Sequence, residues 1–234
     1  MTRLRSIALS VLVALVACAP AHAADADHPV VVELFQSQGC SSCPPANANL
    51  NAIAGRADVL ALSFAVTYWD QLGWKDTFAQ PRFTERQRDY AKASARGQVF
   101  TPQMIVNGRG VLVGRGADEV AEFMRRFDRG SSGPTVTATA DSVTIDAAQT
   151  SNPATVWLVR YDPRMRNVPI GAGENGGRTL PHRNIVHALE RLGQWTGARA
   201  SFAIAASPDP DWRSAVLVQQ GPGGPIIAAR RIGQ

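Results

Sequence analysis

Two cysteines three positions apart, Cys40 and Cys43, are the residues whose types and spacing could do chemistry. An apolar run and Gly39 precede them, and Pro44 and Pro45 follow directly. Two thiols at this spacing can form a reversible disulfide, bind a soft metal ion or act as an inert staple. A disulfide that closes so small a ring restrains little chain entropy, so the spacing favours chemistry over a staple.

The predicted elements around the pair place it at the start of a helix. A β-branched, apolar strand is predicted after Pro29, a helix from Pro44 and a second strand within residues 58–69, which together indicate a parallel βαβ unit. Unpaired N–H groups and the helix dipole at such a helix start lower the pKa of a nearby thiol. We therefore expect Cys40 to be the more exposed, attacking thiol. Cys43 is then the more buried thiol that resolves the mixed disulfide.

Turn and capping residues mark the elements that follow the second strand. Residues 70–97 are predicted to be an insertion whose helix begins with a capping box of Thr84 and Gln87. Thr101 and Pro102 then precede an apolar strand, a position that suits a cis X–Pro bond because the missing N–H does no harm there. A hairpin and an amphipathic helix are predicted to complete this half, at residues 103–114 and 117–130.

This order of elements, with a CxxC motif before one helix and Thr-Pro before a hairpin, resembles thioredoxin. The resemblance implies that Cys40, Cys43, Thr101 and Pro102 form one site, in which the cis-proline loop presents backbone to an extended substrate peptide. The two residues between the cysteines are serines. They match neither the Gly-Pro of reductants nor the His-containing pair of strong oxidants, so the redox direction stays open.

Five ordered motifs along nearly the whole mature chain are similar to an exported bacterial family called domain of unknown function 1223. The motifs are ELFQSQGCSSCPPANANL, YWDQLGWKD, RFTERQRDYA, TPQMIVNG and GENGGRTL with a later LGQW. Members of this family join a thioredoxin-like domain to a β-rich tail, so the resemblance implies a fold and a location. It implies no particular activity, as the name of the family states.

The chain is predicted to divide at a Gly- and Ser-rich linker, residues 130–134. We expect an α/β, thioredoxin-like domain over residues 28–130, with its helical insertion near residues 70–97. Residues 134–234 consist of short β-rich runs separated by Gly, Pro, Asn and Asp, which predicts a β-rich, sandwich-like C-terminal domain.

The N-terminus indicates export. Arg3 and Arg5 precede an apolar segment that is short for a bilayer span, and the small residues Ala21 and Ala23 suit cleavage, so a signal peptide is predicted at residues 1–23. The alternative is a lipobox that ends at Cys18, which would anchor the protein to a membrane through a lipid. Either route puts the folded chain in the periplasm or outside the cell, where disulfides persist.

Charge and composition argue against a nucleic-acid partner. Loss of Arg3 and Arg5 with the signal lowers the net charge from +5 to +3, and no basic run is interleaved with aromatic residues. Thiol–disulfide exchange needs no organic cofactor. The expected partners are therefore exported protein thiols or disulfides, or small thiols.

Aromatic and acidic residues near the motifs are further candidates for the site. Trp69 and Trp74 could line a substrate groove beside Cys40, and packing of these aromatics onto the core is the alternative interpretation. Asp70, at the end of a predicted strand, is a candidate for moving the proton of the resolving cysteine. Glu33, on the strand that leads to the cysteines, has similar standing.

No structural metal is expected, because zinc takes four ligands and the chain has no second CxxC motif. His182 and His187 are expected to be polar surface positions, and GAGENGG, residues 171–177, is expected to be a loop. Two other functions stay open beside an oxidoreductase. One is a non-catalytic binding or assembly protein, and the other is a Cu(I) carrier in which Met104 joins the two thiolates.

Overall fold

The computed structural model describes residues 23–94 and 97–233. Residues 1–22, which include Cys18 and nearly all of the predicted signal peptide, lie outside the described residues. The helices of the described part are α1 Pro44–Ile53, α2 Pro81–Ala93 and α3 Ala117–Arg126, and a short 3-10 turn covers Asp70–Leu72. Within the same residues, no helix combines the length and the apolar character that crossing a bilayer requires.

Most of the described chain is β-structure. The strands of the first half are β1 Val30–Gln36, β2 Val59–Ala65, β3 Gln103–Val106 and β4 Gly110–Leu112. Those of the second half are β5 Val136–Ala138, β6 Ser142–Ile145, β7 Ala154–Asp162, β8 Arg166–Pro169, β9 Thr179–His182, β10 Ile185–Trp195, β11 Ala200–Ala203, β12 Arg213–Gln220 and β13 Ile226–Ile232. Eight strands form one sheet in the order β13-β12-β7-β10-β2-β1-β3-β4. The protein is therefore a mixed α/β structure with a large mixed sheet and few helices.

The two strands that flank the cysteines lie at the centre of this sheet. β1 and β2 run in parallel over seven residue pairs, and every residue of both strands is buried. Val32 and Leu34 pack with residues of α1 and α3, whereas Phe35 and Phe64 pack with residues of α2 on the opposite face. Helices on both faces explain why the two strands are continuous apolar runs rather than alternating ones. The prediction of a buried βαβ unit is confirmed.

Helix α2 begins earlier than the sequence predicts. Its first residue is Pro81, and Thr84 lies one turn inside it, where its hydroxyl oxygen accepts a hydrogen bond from the Thr67 amide at 3.0 Å. The predicted capping box of Thr84 and Gln87 is therefore wrong. A proline suits the first turn of a helix because its missing N–H would have no helical partner. Gln87 instead donates to the carbonyl oxygen of Phe100 at 2.8 Å.

Glu33 lies on the face of β1 that is turned away from the cysteine-bearing helix. Its neighbours Val32 and Leu34 pack with α1, so the alternation of the strand directs Glu33 towards α2. There its carboxylate binds Nε of Arg86 at 2.6 Å and the hydroxyl of Tyr90. The hypothesis that Glu33 moves protons at the cysteines is therefore wrong.

The second half of the chain extends the same sheet. β10 joins β2 through the pair of Ile185 and Ser63, and β7, β12 and β13 continue outward from it. A three-stranded sheet, β11-β6-β5, packs its apolar face against β7, β12 and β13. The strands on either side of residues 130–134 thus share one sheet, and the division of the chain into two domains stays a prediction.

Candidate functional site

The cysteines occupy the connection between β1 and α1. The amide of Cys43 donates to the carbonyl oxygen of Cys40 at 3.1 Å, and the amide of Asn47 donates to that of Cys43 at 3.0 Å. Cys43 is thus the residue that precedes the first turn of α1, and the prolines at 44 and 45 begin the helix. No side chain caps this helix start. The sequence places the pair here because two prolines suit a first turn and would break a helix interior.

The cysteines form a disulfide and are both fully buried. Their Cα atoms are 5.4 Å apart, and each residue is 0% exposed. The expectation that Cys40 is the more exposed of the two is therefore wrong. Ser41 and Ser42 between them are exposed, so the disulfide lies directly beneath the surface.

The Thr101–Pro102 turn touches Cys40, as the resemblance to thioredoxin implies. The peptide bond between these residues is cis. The hydroxyl of Thr101 lies 3.3 Å from Sγ of Cys40, and the hydroxyl of Ser42 lies 3.4 Å both from that sulfur and from the carbonyl oxygen of Thr101. Cys40, Cys43, Thr101 and the peptide bond to Pro102 are thus brought together.

The two tryptophans bond to different parts of the site. Nε1 of Trp69 donates to the hydroxyl oxygen of Thr101 at 2.8 Å, which orients that hydroxyl towards the sulfur of Cys40. Nε1 of Trp74 donates to the side-chain oxygen of Gln38 at 2.9 Å, two residues before Cys40. Trp69 therefore supports the Thr101 contact, whereas Trp74 supports the loop that leads into the cysteines.

A loop from the second half of the chain lies over the cysteines. This covering loop, residues 170–177, lies in the connection between β8 and β9. The carboxylate of Glu174 accepts hydrogen bonds from the amide and the hydroxyl of Ser41, at 3.1 and 2.6 Å. The side-chain amide of Asn175 donates to the carbonyl oxygens of Gln38 and Cys40, at 2.9 and 3.0 Å. These contacts explain why Cys40 is buried.

Glycines allow the covering loop to rest on Trp74. A Cβ atom at Gly171 would lie 3.0 Å from Cζ3 of Trp74, which is closer than ordinary contact permits. Gly173 has a φ of +71°, and a Cβ atom there would lie 3.2 Å from Cβ of Trp74. The segment that the sequence predicts to be a loop is therefore one, and its glycines serve close approach to an aromatic ring.

The buried carboxylate near the cysteines belongs to Asp76 and not to Asp70. Asp76 is 2% exposed, and its carboxylate accepts hydrogen bonds from the amides of Gln38 at 2.7 Å and Phe78 at 2.8 Å. Burial raises the pKa of Asp76 to about 6 despite these bonds. Asp70 is half-buried, and its carboxylate accepts from the amide of Asp76 at 3.1 Å. The role of Asp70 in proton transfer stays a prediction.

Three buried polar side chains, those of Gln36, Asn47 and His182, lie close together where α1 contacts β1 and β9. Nδ2 of Asn47 is 3.4 Å from Oε1 of Gln36 and 3.4 Å from Nδ1 of His182. His182 is 1% exposed, and its Nε2 has no hydrogen-bond partner among the described residues. Burial lowers the pKa of His182 to about 4. The expectation of a surface position is wrong for His182, and His187 is half-buried with its ring stacked on Trp212.

A family model described as "Protein of unknown function (DUF1223)" matches residues 31–219. The chain belongs to this family. The match takes in the cysteines, the Thr101–Pro102 turn and the covering loop, so the DUF1223 region holds every residue of the candidate site described above. No curated protein matches the chain.

Two solved structures are similar to this DUF1223 protein. Protein AGR_C_4864 from Agrobacterium tumefaciens is 31% identical, with a TM-score of 0.71 over 86% of this chain and 92% of that one. HBP35 of Porphyromonas gingivalis is 16% identical, with a TM-score of 0.56 over 88% of this chain and 74% of that one. The second likeness is one of fold alone.

Three parts of the DUF1223 site are not evident from sequence reasoning. Asp76 lies within the predicted insertion without a motif around it, and Glu174 and Asn175 belong to a segment predicted only as a loop. The signal in the sequence is the pair Glu174 and Asn175 at the centre of the glycine-rich segment. A polar pair within so many glycines indicates a loop that approaches another backbone closely.

Proposed function

We propose that this protein is a thiol–disulfide oxidoreductase of exported proteins, in which Cys40 exchanges with the partner and Cys43 is the second thiol. The observation that carries the proposal is the contact of the Thr101 hydroxyl with Sγ of Cys40 at 3.3 Å, at the start of α1. A hydroxyl donor and a helix N-terminus both stabilise a thiolate at Cys40, and thiolate is the reactive form of cysteine.

The order of elements supports a thioredoxin-like fold for the first half. β1, the cysteines, α1 and β2 are followed by the Thr101–Pro102 turn, the antiparallel hairpin β3–β4 and α3. β1 pairs in parallel with β2 and in antiparallel fashion with β3. In this arrangement the cysteine turn and the proline turn lie at the same edge of the sheet, where a partner backbone can reach both.

The exchange has two steps, written here in the oxidising direction. A thiolate of a partner dithiol attacks Sγ of Cys40, the bond between Cys40 and Cys43 breaks, and Cys43 leaves as a thiolate. The second thiolate of the partner then attacks the partner's first sulfur, which is bonded to Sγ of Cys40 in the mixed disulfide. This step releases Cys40 as a thiolate and leaves the partner with a disulfide. The reducing direction is the reverse, in which Cys40 attacks and Cys43 resolves.

Burial sets a condition on this chemistry. Cys40 is fully buried: the hydroxyls of Thr101 and Ser42 lie against its Sγ, and Asn175 of the covering loop bonds its backbone carbonyl oxygen. A partner therefore reaches the sulfur only after part of this cover moves. The loop is joined to the cysteine turn by polar contacts of Glu174 and Asn175, which exchange readily with water. We infer that opening of the covering loop precedes exchange.

The test uses the mature chain and counts thiols by maleimide labelling in glutathione buffers. The native protein is expected to equilibrate with glutathione while folded. The Cys43→Ser variant should accumulate one glutathione per chain on Cys40, and the Cys40→Ser variant should accumulate far less.

The matched comparison is reduction of the same protein in urea. If dithiothreitol opens the disulfide only after the chain unfolds, the pair is a structural staple and the proposal fails. A scaffold that binds partners without exchange is then the remaining interpretation.

A further inference from the structure

A strongly basic cavity lies at the opposite end of α1 from the cysteines. Its volume is about 480 Å³, and it is formed by the loop after α1 together with residues of the β-rich half. Five arginines and no acidic residue line it in the described part of the chain: Arg56, Arg164, Arg183, Arg213 and Arg231. Because α1 has ten residues, the cavity lies about 15 Å from the disulfide.

Only two of the five arginines have carboxylate partners. Arg56 pairs with Asp58 at 2.6 Å, and Arg164 pairs with Asp162 at 2.8 Å and also with Asp211. The other three have no ion pair with any residue that the structure describes. Three positive charges of the cavity therefore have no carboxylate bonded to them, and one of these, on Arg231, lies near enough to Asp58 to lower the pKa of that carboxyl.

Arg231 also has a structural task. Nη1 donates to the carbonyl oxygen of Ala57 at 2.7 Å, and Nη2 donates to the carbonyl oxygens of Arg56 and Val59. These bonds tie β13 to the loop after α1 and satisfy carbonyl groups near the end of that helix. Of the three arginines without an ion pair, Arg231 is thus the one whose position the fold explains without a ligand.

Arg183 and Arg213 are not explained in this way. Nε of Arg183 donates to the carbonyl oxygen of Pro163 at 3.1 Å, while its two terminal nitrogens face Gly55, where a Cβ atom would be 3.5 and 3.8 Å away. The side chain of Arg213 makes no hydrogen bond with the described residues. Burial raises the pKa of the neighbouring Tyr161, and the charges of Arg231 and Arg213 beside it act in the opposite direction.

We propose that this cavity binds a compact oxyanion with two or more negative charges, of the phosphate-ester or pyrophosphate class. A guanidinium group can donate two parallel N–H bonds to such an anion, and the two groups that the fold leaves unexplained, Arg183 and Arg213, match a multiply charged ligand better than a single carboxylate. Their mutual repulsion falls when the anion binds. A soluble phosphate compound and the headgroup of an anionic lipid share this chemistry.

The experiment titrates the oxidised mature protein with pyrophosphate by calorimetry at low ionic strength. We expect one site per chain, with an affinity that falls as sodium chloride is added. The double variant Arg183→Gln/Arg213→Gln should bind at least tenfold more weakly. The matched control Arg109→Gln removes an exposed arginine on the β3–β4 turn and should change the affinity less than twofold.

A second arm distinguishes the two sources of the anion. Vesicles of phosphatidylglycerol and of phosphatidylcholine are mixed with the protein and sedimented. Binding to phosphatidylglycerol alone, lost in the double variant, assigns the site to a lipid headgroup. Saturable binding of pyrophosphate without vesicle binding assigns it to a soluble ligand. The proposal is overturned if neither probe binds, or if Arg109→Gln weakens binding as much as the double variant does.

Discussion

The side-chain amide of Asn175 donates a hydrogen bond to the carbonyl oxygen of Cys40 at 3.0 Å, across 135 residues of sequence. The same amide donates to the carbonyl oxygen of Gln38 at 2.9 Å. One side chain of the covering loop thus holds the backbone on both sides of Gly39. Access to the disulfide therefore depends on a part of the chain that is remote in sequence from the cysteines.

Asn175→Ala should speed the reduction of the native disulfide. Each hydrogen bond of this kind contributes about 1 kcal/mol net, so loss of two favours the open loop by about 2 kcal/mol. Since 1.4 kcal/mol corresponds to a factor of ten, we expect roughly a tenfold or greater increase in rate. The measurement is the time course of maleimide-reactive thiols in dithiothreitol at constant pH.

Asn152→Ala is the control for this change, because Asn152 is an exposed asparagine of another loop. Its rate should equal that of the native protein. An unchanged rate in Asn175→Ala would mean that the covering loop is not the barrier to reduction.

Thr101→Val should lower the reactivity of Cys40 in the reduced protein. Valine keeps the shape of threonine but removes the hydroxyl that lies 3.3 Å from Sγ. A hydrogen bond to a charged group contributes about 1.5–3 kcal/mol, so the pH at which Cys40 reacts should rise by about one unit or more. The measurement is the rate of alkylation by iodoacetamide as a function of pH.

Two further variants separate the hydroxyl from the rest of the side chain. Thr101→Ser keeps the hydroxyl and should retain the native profile. Trp69→Phe removes the donor that orients this hydroxyl and should give an intermediate shift. If Thr101→Val and Thr101→Ser behave alike, the contact does not activate the thiol.

The centre of the fold is predictable because its signals are local. β1 and β2 are uninterrupted apolar runs, and Pro44 with Pro45 marks the start of α1. The turn at Thr101 is predictable for the same reason. By contrast, α2 starts at Pro81 because a proline suits a first turn, and this preference outweighs the capping box further along.

The covering of the site is not predictable because it depends on contacts between distant segments. Nothing near Cys40 in sequence indicates that Glu174 and Asn175 will bury it. Two acids six positions apart, Asp70 and Asp76, give no local sign of which is buried. The burial of His182 follows from the packing of the β8–β9 hairpin beside α1. The sequence of β9 itself does not indicate this contact.

Asp76 and His182 should give opposite dependences of stability on pH. The pKa of Asp76 is about 6 in the folded protein and 3.8 ordinarily. The contribution of this carboxyl to the stability of the fold is therefore complete below pH 3.8 and is lost as pH rises through 6. The pKa of His182 is about 4 when folded and 6.5 ordinarily, so its contribution is complete above 6.5 and is lost as pH falls through 4. Each effect amounts to about 3 kcal/mol at most.

These effects oppose each other between pH 4 and 6, so the native profile should be shallow there. In Asp76→Asn, the free energy of unfolding should rise with pH across this window. In His182→Gln it should fall, and the double variant should again be shallow. The measurement is urea unfolding at several pH values. The variants are compared by how the free energy of unfolding changes with pH, not by its absolute value. Slopes that match the native protein in both single variants would contradict the assignment.

Arg86→Met should destabilise the protein strongly, because it leaves the carboxylate of Glu33 buried without its charge partner. Glu33 is 0% exposed and Arg86 is 5% exposed, with Nε and Nη2 of Arg86 at 2.6 and 3.2 Å from the two carboxylate oxygens. Breaking one partner of a buried ion pair costs about 3–5 kcal/mol. We expect a loss of this size in the free energy of unfolding in urea at pH 7.

Arg88→Met is the matched control, since Arg88 is an exposed arginine on the same helix. Its cost should be below about 0.5 kcal/mol, as for most surface substitutions. The double variant Glu33→Gln/Arg86→Met removes both charges, so it should recover part of the stability that Arg86→Met loses. Glu33 points towards α2, which carries Arg86, and away from the cysteine-bearing helix, so the rate of disulfide reduction in folded Arg86→Met should stay at the native value. A large change in that rate would mean that this ion pair also controls the covering loop.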